Sequence, residues 1–219
     1  MKKILFIIVV SIIVFCIYLG LKDKKVYYLS IGDYNLDMRI EYNYSNYIHD
    51  YLEEIGKLEK NINILDSNYR VVDLINMIEN NEKIDNKNIK NILIKSDLLT
   101  LSIGYNDIVS KIDKYDYNKV NKLIDNYIND LEKLFNLLKK YCKEDIIMIG
   151  YYNIFEDVKY DSSIKYLNRE TKELSDKYNI HFIDIEEVSL YSYQYHPTNE
   201  GEHIIFNKIR KVIDSNILK

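Results

Sequence analysis

Short apolar runs that alternate with longer amphipathic segments constrain the fold of this chain most strongly. Five runs are predicted as strands: Val26–Ile31, Asn61–Leu65, Leu98–Ile103, Asp145–Gly150 and Ile180–Ile185. Six segments are predicted as helices: Tyr44–Leu58, Val71–Glu79, Asn86–Lys95, Lys119–Tyr141, Ser163–Tyr178 and Asn199–Leu218. Nearly continuous apolar strands separated by helices indicate a parallel sheet that is covered on both faces. The expected fold is therefore a three-layer α/β/α, flavodoxin-like, doubly wound sheet of five parallel strands.

The N-terminus carries a separate signal. Residues Ile4–Leu21 contain no charged side chain, and as a helix they would span roughly 27 Å, about the thickness of the hydrocarbon core of a bilayer. No A-x-A-like pattern of small residues ends the run, and Phe15 stands before Cys16, where a lipoprotein site needs a small residue. We therefore predict an uncleaved transmembrane anchor within residues 1–25 and one domain over residues 26–219. A cleaved signal peptide is the alternative.

Lysines on both sides of this run leave its orientation ambiguous. Lys2 and Lys3 favour a cytoplasmic N-terminus, whereas Lys22, Lys24 and Lys25 lie on the other flank. Signal-like N-termini usually serve export, so the domain is expected outside the cytoplasm, on a single-pass membrane protein of the cell envelope. With a cleaved signal, it would be secreted.

Charge and cysteine content exclude several other classes of protein. The net charge is −4 and no basic block stands out, which argues against a nucleic-acid partner. The two cysteines, Cys16 and Cys142, are too few for a disulfide framework or a metal site. No metal and no cofactor are expected, and the oligomeric state is left open.

Glycine marks the ends of three predicted strands. The chain has only six glycines and one proline, yet Gly32, Gly104 and Gly150 each follow an apolar run, and Pro197 follows His196 directly. One such glycine would be explained by ordinary strand termination, but three on one rim favour tight turns at a ligand site. Doubly wound sheets bind ligands beyond the carboxyl ends of their strands, so this rim is the candidate site.

Three segments on that rim resemble the SGNH, or GDSL, hydrolase family. "SIGDYN" stands where the family has its G-D-S block, "GYND" matches the G-x-N-D block, and "YHPTNEG" matches the last block with its histidine. The blocks occur in the family's order, and the resemblance covers nearly all of residues 26–219. It implies the SGNH hydrolase fold and hydrolysis of an acyl ester by a serine that a histidine activates.

The resemblance also assigns roles to single residues. His196 would be the base, Asn106 a donor in the oxyanion hole, and Gly104 the turn that aims Asn106 into the site. Asp33, Tyr105 and Asp107 would line the site. From the residues themselves, Asp33 is expected to bond its own loop, and Asp107 to cap the turn after the third strand.

Two positions depart from the family's pattern. Tyr34 occupies the place of the nucleophilic serine, and Tyr193 stands three positions before His196, where the family has its acidic residue. A tyrosine hydroxyl reaches roughly 4 Å farther than that of serine, beyond the tolerance of near-attack positioning. We therefore predict a pseudoenzyme that retains a cleft for an acylated sugar, a lipid or a cell-wall ligand.

The alternative is an active ester hydrolase, an acylhydrolase or deacetylase, with a rewired site around His196. Another serine or Tyr34 itself would attack, and Asp33 or Asp107 would support the histidine. Ser102 is a poor replacement nucleophile, because it is predicted to lie within a strand rather than on an exposed turn.

Overall fold

The computed structural model describes residues 25–33, 42–114, 116–155, 157–193 and 196–218. The strands, in chain order, are β1 Val26–Gly32, β2 Leu58–Leu65, β3 Lys83–Ile84, β4 Lys87–Asn88, β5 Leu98–Ser102, β6 Asp145–Ile149, β7 His181–Ile183, β8 Ser192–Tyr193 and β9 His196–Pro197. The helices are α1 Tyr44–Glu54, α2 Val71–Glu79, α3 Ile89–Lys95, α4 Tyr117–Tyr141, α5 Asp161–Lys177 and α6 Asn199–Val212.

Five strands form one parallel sheet in the order β2-β1-β5-β6-β7, which confirms the predicted fold class. All seven residues of β1 are buried, because helices cover both faces of the sheet. On one face, Leu29 and Ile31 pack in a core with residues of α2, α3, α4 and α5. On the other face, Val26 and Tyr28 pack in a second core with residues of α1 and α6.

Several predicted boundaries differ from the structure, and three of them have a clear physical reason. The first helix ends at Glu54 rather than Leu58, because Gly56 reverses the chain at a φ of 67° and β2 begins at once. The segment predicted as a helix from Asn86 begins as the β3–β4 hairpin, whose turn places Asp85 and Asn86 at φ 48° and 63°. The last helix ends at Val212, and a π-helical turn over Ile213–Ile217 follows.

The predicted membrane anchor, residues 4–21, lies outside the described residues. Among the helices that the structure describes, none is both long enough and apolar enough to cross a bilayer. Cys142 is a buried free thiol, and its burial raises its pKa to about 11. Cys16 lies outside the described part of the chain.

Candidate active site

The candidate site begins where β1 ends. The Cα atom of Gly32 lies opposite that of Ser102 in β5, and the backbone N–H of Asp33 donates to the carbonyl oxygen of Ser102 at 2.8 Å. Asp33 therefore leaves the sheet beside the end of β5, where the segment Ile103–Asp107 starts. The two segments come together because parallel strands place their carboxyl ends on one edge.

The carboxylate of Asp33 ties these two segments together. Its Oδ2 accepts the backbone N–H groups of Gly104, at 2.9 Å, and Asn106, at 3.2 Å. Both donors lie about 70 residues away in sequence, so these bonds join two separate loops, and the predicted bonds of Asp33 to its own loop fall on residues outside the described part of the chain. Burial raises the pKa of Asp33 to about 7, and the N–H groups of Asn106 and Gly104 oppose that shift.

The side chain of Asn106 is engaged with a third loop. Its Nδ2 donates to the carbonyl oxygens of Ser67, at 2.6 Å, and Tyr69, at 2.9 Å. A side-chain amide has two hydrogens, so both are committed to the loop after β2. An oxyanion in the site would have to compete with these two carbonyl groups for the amide.

Replacing Asn106 by alanine is therefore expected to lower the free energy of unfolding, by about 1–3 kcal/mol, because two carbonyl groups lose their donor. Denaturant unfolding of the variant and of the wild-type chain measures this difference. Asn136→Ala is a matched control, because the Nδ2 of Asn136 bonds an exposed carbonyl on its own helix. Equal stability of the Asn106 variant and the wild type would contradict the structural role of this amide.

Asp107 caps a different element from the one predicted. Its Oδ2 accepts the backbone N–H of Val71 at 3.1 Å, so it caps the first turn of α2 rather than the turn after β5. The Nζ of Lys111 donates to the backbone oxygen of Asp107 at 2.9 Å. Burial raises the pKa of the Asp107 carboxyl. The carboxylate thus holds the start of α2 against the site loop.

Two tyrosine hydroxyls form a support beneath Gly104. The hydroxyls of Tyr127 and Tyr151 are 2.5 Å apart, and each lies 2.9 Å from the carbonyl oxygen of Ile103. A Cβ atom on Gly104 would lie 2.7 Å from the Tyr127 hydroxyl, so only glycine fits here. Asn168 holds the backbone of Tyr151 with two 2.8 Å bonds. Sequence reasoning missed these three polar side chains, because they lie on helices and strand ends that carry no motif.

A cavity of about 70 Å³ opens at this edge of the sheet. Asp33, Tyr105 and the half-buried His196 line it together. The rest of the wall is mostly apolar and includes Ile103, Val109, Ile149, Ile154, Ile185 and Ile205. Within the described residues, Ser102 is the sole aliphatic hydroxyl on the wall. The structure thus places Asp33 and His196, which are far apart in sequence, on one cavity.

The two tyrosines at the family's catalytic positions are described to different extents. The backbone of Tyr193 lies in β8, and its Cα atom is opposite that of His196 in β9. His196 and Pro197 form β9 just before α6. Thr198 caps the N-terminus of α6, where its side-chain oxygen accepts the backbone N–H of Gly201. Tyr34 lies outside the described residues. The roles assigned to Tyr34, Tyr193, Asn106 and His196 by resemblance remain predictions.

One other group of side chains has the composition of metal ligands. His49, Asp50 and Glu53 lie on α1, with ligand atoms within 4.8 Å of one another. His49 Nδ1 and Asp50 Oδ1 already contact each other at 2.9 Å, and the carboxylates are exposed. None of the three lines the cavity of Asp33 and His196.

Comparison with known proteins decides the family. A family model described as "GDSL-like Lipase/Acylhydrolase" matches residues 30–209, most of the chain. The chain belongs to this family. No curated protein matches it at a significant level.

Solved structures of a lipase and of an acetylxylan esterase have a similar fold. A lipase from a goat rumen metagenome is 18% identical, with a TM-score of 0.70 over 85% of this chain and 97% of its own. A catalytic mutant of Axe2, an acetylxylan esterase from Geobacillus stearothermophilus, is 17% identical, with a TM-score of 0.68 over 90% and 97%. At such identities, the likeness establishes the fold of this GDSL-family member and leaves its chemistry to its own residues.

Proposed function

We propose that this GDSL-family protein is anchored in the cell membrane through residues 4–21, faces away from the cytoplasm, and has lost the serine mechanism. It retains a cleft for the acyl group of an ester-bearing ligand. The main observation behind the proposal is that the side-chain amide of Asn106 donates hydrogen bonds to the carbonyl oxygens of Ser67 and Tyr69. The tyrosines at positions 34 and 193 support it.

Acyl transfer places negative charge on the carbonyl oxygen of the ester. An oxyanion hole works because its donors are already aimed at the forming anion, and removing one donor costs about 10²–10³ in rate. Here the amide of Asn106 would first have to release two backbone carbonyl groups. Replacing the serine and the acid of a triad adds several further orders of magnitude. A triad without its nucleophile keeps only the catalysis that the oxyanion hole and binding supply, about 10³–10⁴ over water, so the further loss of an oxyanion donor leaves a rate close to that of the uncatalysed reaction.

The cavity favours a short acyl group. An engineered protein cavity of about 150 Å³ holds a benzene molecule. The cavity here, about 70 Å³ and mostly apolar, is half that size and suits an acetyl or similarly small acyl group. A long lipid chain would extend beyond it. The ligand we propose is therefore a polymer or sugar that carries acetyl esters, which accords with the acetylxylan esterase among the structural relatives.

The full-length protein is expected to hydrolyse p-nitrophenyl acetate and p-nitrophenyl butyrate no faster than its His196→Ala variant. The physical reason is that a tyrosine stands at the family's serine position and that the Asn106 amide is bonded to two backbone carbonyl groups. Initial rates of nitrophenol release measure this directly. Robust turnover by the wild type that His196→Ala abolishes would overturn the loss of catalysis.

Binding of the ligand is tested separately from turnover. Saturation-transfer NMR on the full-length protein should detect contact with the methyl protons of an acetylated xyloside. The same xyloside without its acetyl groups is the matched control and should give at most a weak signal. Equal signals from the sugar protons of both compounds would contradict an acyl-binding cleft.

One observation favours the second candidate, an active hydrolase with a rewired site. Asp33 shares the cavity with His196, and its pKa of about 7 suits a general acid or base near neutral pH. In that mechanism Asp33 would act in place of the family's acid. Activity that is lost in both Asp33→Asn and His196→Ala, and retained in Tyr34→Phe, would establish this candidate in place of the first.

A further inference from the structure

Four lysines surround one open basin at the edge of the sheet opposite to the cavity. The lysine basin is formed by Lys60, Lys83, Lys87 and Lys95, together with Tyr27, Glu59, Ile92 and the asparagines Asn86, Asn88 and Asn91. Its lysines come from β2, from the β3–β4 hairpin and from the last residue of α3. Tyr27 and Lys60 are partners in the β1–β2 register, at the amino-terminal end of β1. The basin thus lies where the chain enters the sheet.

What sets the lysines of the basin apart is their grouping around one depression. Within the described residues, none of the four forms an ion pair with a carboxylate. Six lysines on other faces do form such pairs, namely Lys119, Lys133, Lys159, Lys172, Lys177 and Lys208. Among the described residues, Glu59 is the one carboxylate on the basin wall, and the charge of the nearby Asp85 opposes the lowering of the Lys60 pKa. In a chain with more acidic than basic residues, four unpaired ammonium groups around one depression are a concentrated positive charge.

The ammonium groups act on one another. The neighbouring Lys87, and to a smaller extent Lys95, lower the pKa of Lys60, because each added positive charge disfavours another. Lys60 also lies 5.7 Å from the centre of the Tyr27 ring. An anion bound in the basin would relieve the repulsion, and the asparagine amides on the wall would add neutral donors.

The location of the basin identifies the source of the anion. From Leu21, the end of the apolar run, to Tyr27 the chain has six residue steps, which reach at most about 20 Å when fully extended. If residues 4–21 cross a bilayer, this short connection holds the amino-terminal end of β1 near the bilayer surface. Phosphate groups of lipids are then the anions closest to the basin.

We propose that the lysine basin docks on the anionic headgroups of the bilayer in which the N-terminal segment is anchored. The inference rests on the proposed anchor for its geometry. It also orients the domain. The seven residues of β1 span about 20 Å, so the cavity at the other end of the sheet would face away from the bilayer. The ligand of the cavity would then come from the aqueous side rather than from the membrane.

Lysine modification on the full-length protein tests the docking. The protein is reconstituted into nanodiscs of phosphatidylcholine alone, or of an equimolar mixture with phosphatidylglycerol, and is labelled briefly with an acetylating reagent. Mass spectrometry then compares the four basin lysines with Lys119, Lys133 and Lys172 as internal controls. We expect the basin lysines to be acetylated several-fold more slowly in the anionic discs, with no change at the controls. High salt should remove the difference, because it screens exposed charges.

Two double variants show whether lipid binding depends on the charge of the basin or on the net charge of the whole protein. Lys60→Gln with Lys87→Gln removes half of the basin charge, whereas Lys119→Gln with Lys133→Gln removes the same charge elsewhere. Each lysine near an anionic surface contributes about fivefold to affinity, so the basin variant should retain several-fold less phosphatidylglycerol after purification in mild detergent. The control variant should retain as much as the wild type.

The outcomes distinguish docking from anchoring. Equal labelling of the basin lysines in both discs overturns the docking and leaves the anchor intact. If the protein fails to enter phosphatidylcholine discs but binds phosphatidylglycerol vesicles through the basin lysines, the anchor and the orientation that it gives fall, and only the binding of the basin to anionic lipid stands. If it binds neither lipid, both proposals fall. Protection of the basin by soluble polyphosphate but not by phosphatidylglycerol also overturns the lipid assignment.

Discussion

Replacing Gly32 by alanine is expected to prevent the chain from reaching its folded state. Gly32 has a φ of 145°, and a Cβ atom there would lie 1.6 Å from the carbonyl oxygen of Ser102. That oxygen also accepts the N–H of Asp33 from across the sheet. Relief of the clash would require β1 and β5 to separate, and this pairing supports both cores. Because a domain has only about 5–15 kcal/mol of stability, this separation would consume most or all of it.

Gly56→Ala is the matched control for this prediction. Gly56 also has a positive φ, 67°, but a Cβ atom there meets nothing within 4 Å. Its replacement should cost only the strain of a left-handed residue, about 1 kcal/mol. Soluble yield and far-UV circular dichroism compare the two variants. An unfolding transition for Gly32→Ala that matches the wild type would contradict the close approach of β1 and β5.

The stability of the fold is expected to fall as the pH rises from about 5 to about 8. Asp33 is 2% exposed, and its pKa rises from the ordinary value of 3.8 to about 7 on folding. An acid with a higher pKa in the folded chain stabilises the fold while it is protonated. Its contribution is therefore complete below pH 3.8 and is lost as the pH rises through about 7. A shift of this size corresponds to about 4 kcal/mol at most.

A second buried carboxyl is also expected to lower the stability of the fold as the pH rises. Glu202 in α6 is fully buried, and its Oε2 accepts the backbone N–H of Tyr44 at the start of α1. Burial raises its pKa to about 8, and its Oε1 has no hydrogen-bond partner among the residues that the structure describes. Its ionisation therefore adds to the loss of stability near neutral pH.

Denaturant titrations across this pH range measure the effect. The variants Asp33→Asn and Glu202→Gln remove one titrating group each and keep an acceptor oxygen, so each should flatten the dependence of unfolding free energy on pH. Asp176→Asn, at an exposed ion pair with Lys172, is the control and should leave the slope unchanged in this range. Unfolding free energies that are equal at both ends of the range in the wild type would contradict the raised pKa values.

Much of the fold follows from local patterns. All five strands of the sheet are predicted from the sequence. Strands buried on both faces, such as β1, are apolar along their whole length, whereas β2 lies at the edge of the sheet and is mostly half-buried. The errors fall at element ends. The β3–β4 turn depends on two residues with positive φ, Asp85 and Asn86, and the end of α1 depends on Gly56. The sequence predicts such positive-φ turns only weakly, because asparagine and aspartate also occur in many other conformations.

The candidate site is likewise predicted in part from local motifs, and the other part depends on tertiary contacts. The residues around Gly32, Gly104 and His196 are found by motif, and the structure places Asp33, Tyr105 and His196 on one cavity. The partners of these residues are not found by motif. Asp33 bonds a loop some 70 residues away, and Asp107 caps α2 rather than its own turn. A polar side chain forms hydrogen bonds with the groups that tertiary packing places near it, so neighbouring residues in the sequence do not specify its partner.

The sequence by itself determined the strands, the class of the sheet and the membership of residues 30–209 in the GDSL-like family. Those features depend on periodicity and on short motifs, which neighbouring residues specify. Tertiary structure alone decided the direction of the Asn106 amide, the burial of Asp33 and the gathering of Lys60, Lys83, Lys87 and Lys95 in one basin. No basic block marks these lysines along the chain. Burial, hydrogen bonding and charge density depend on segments that meet only after the sheet has formed.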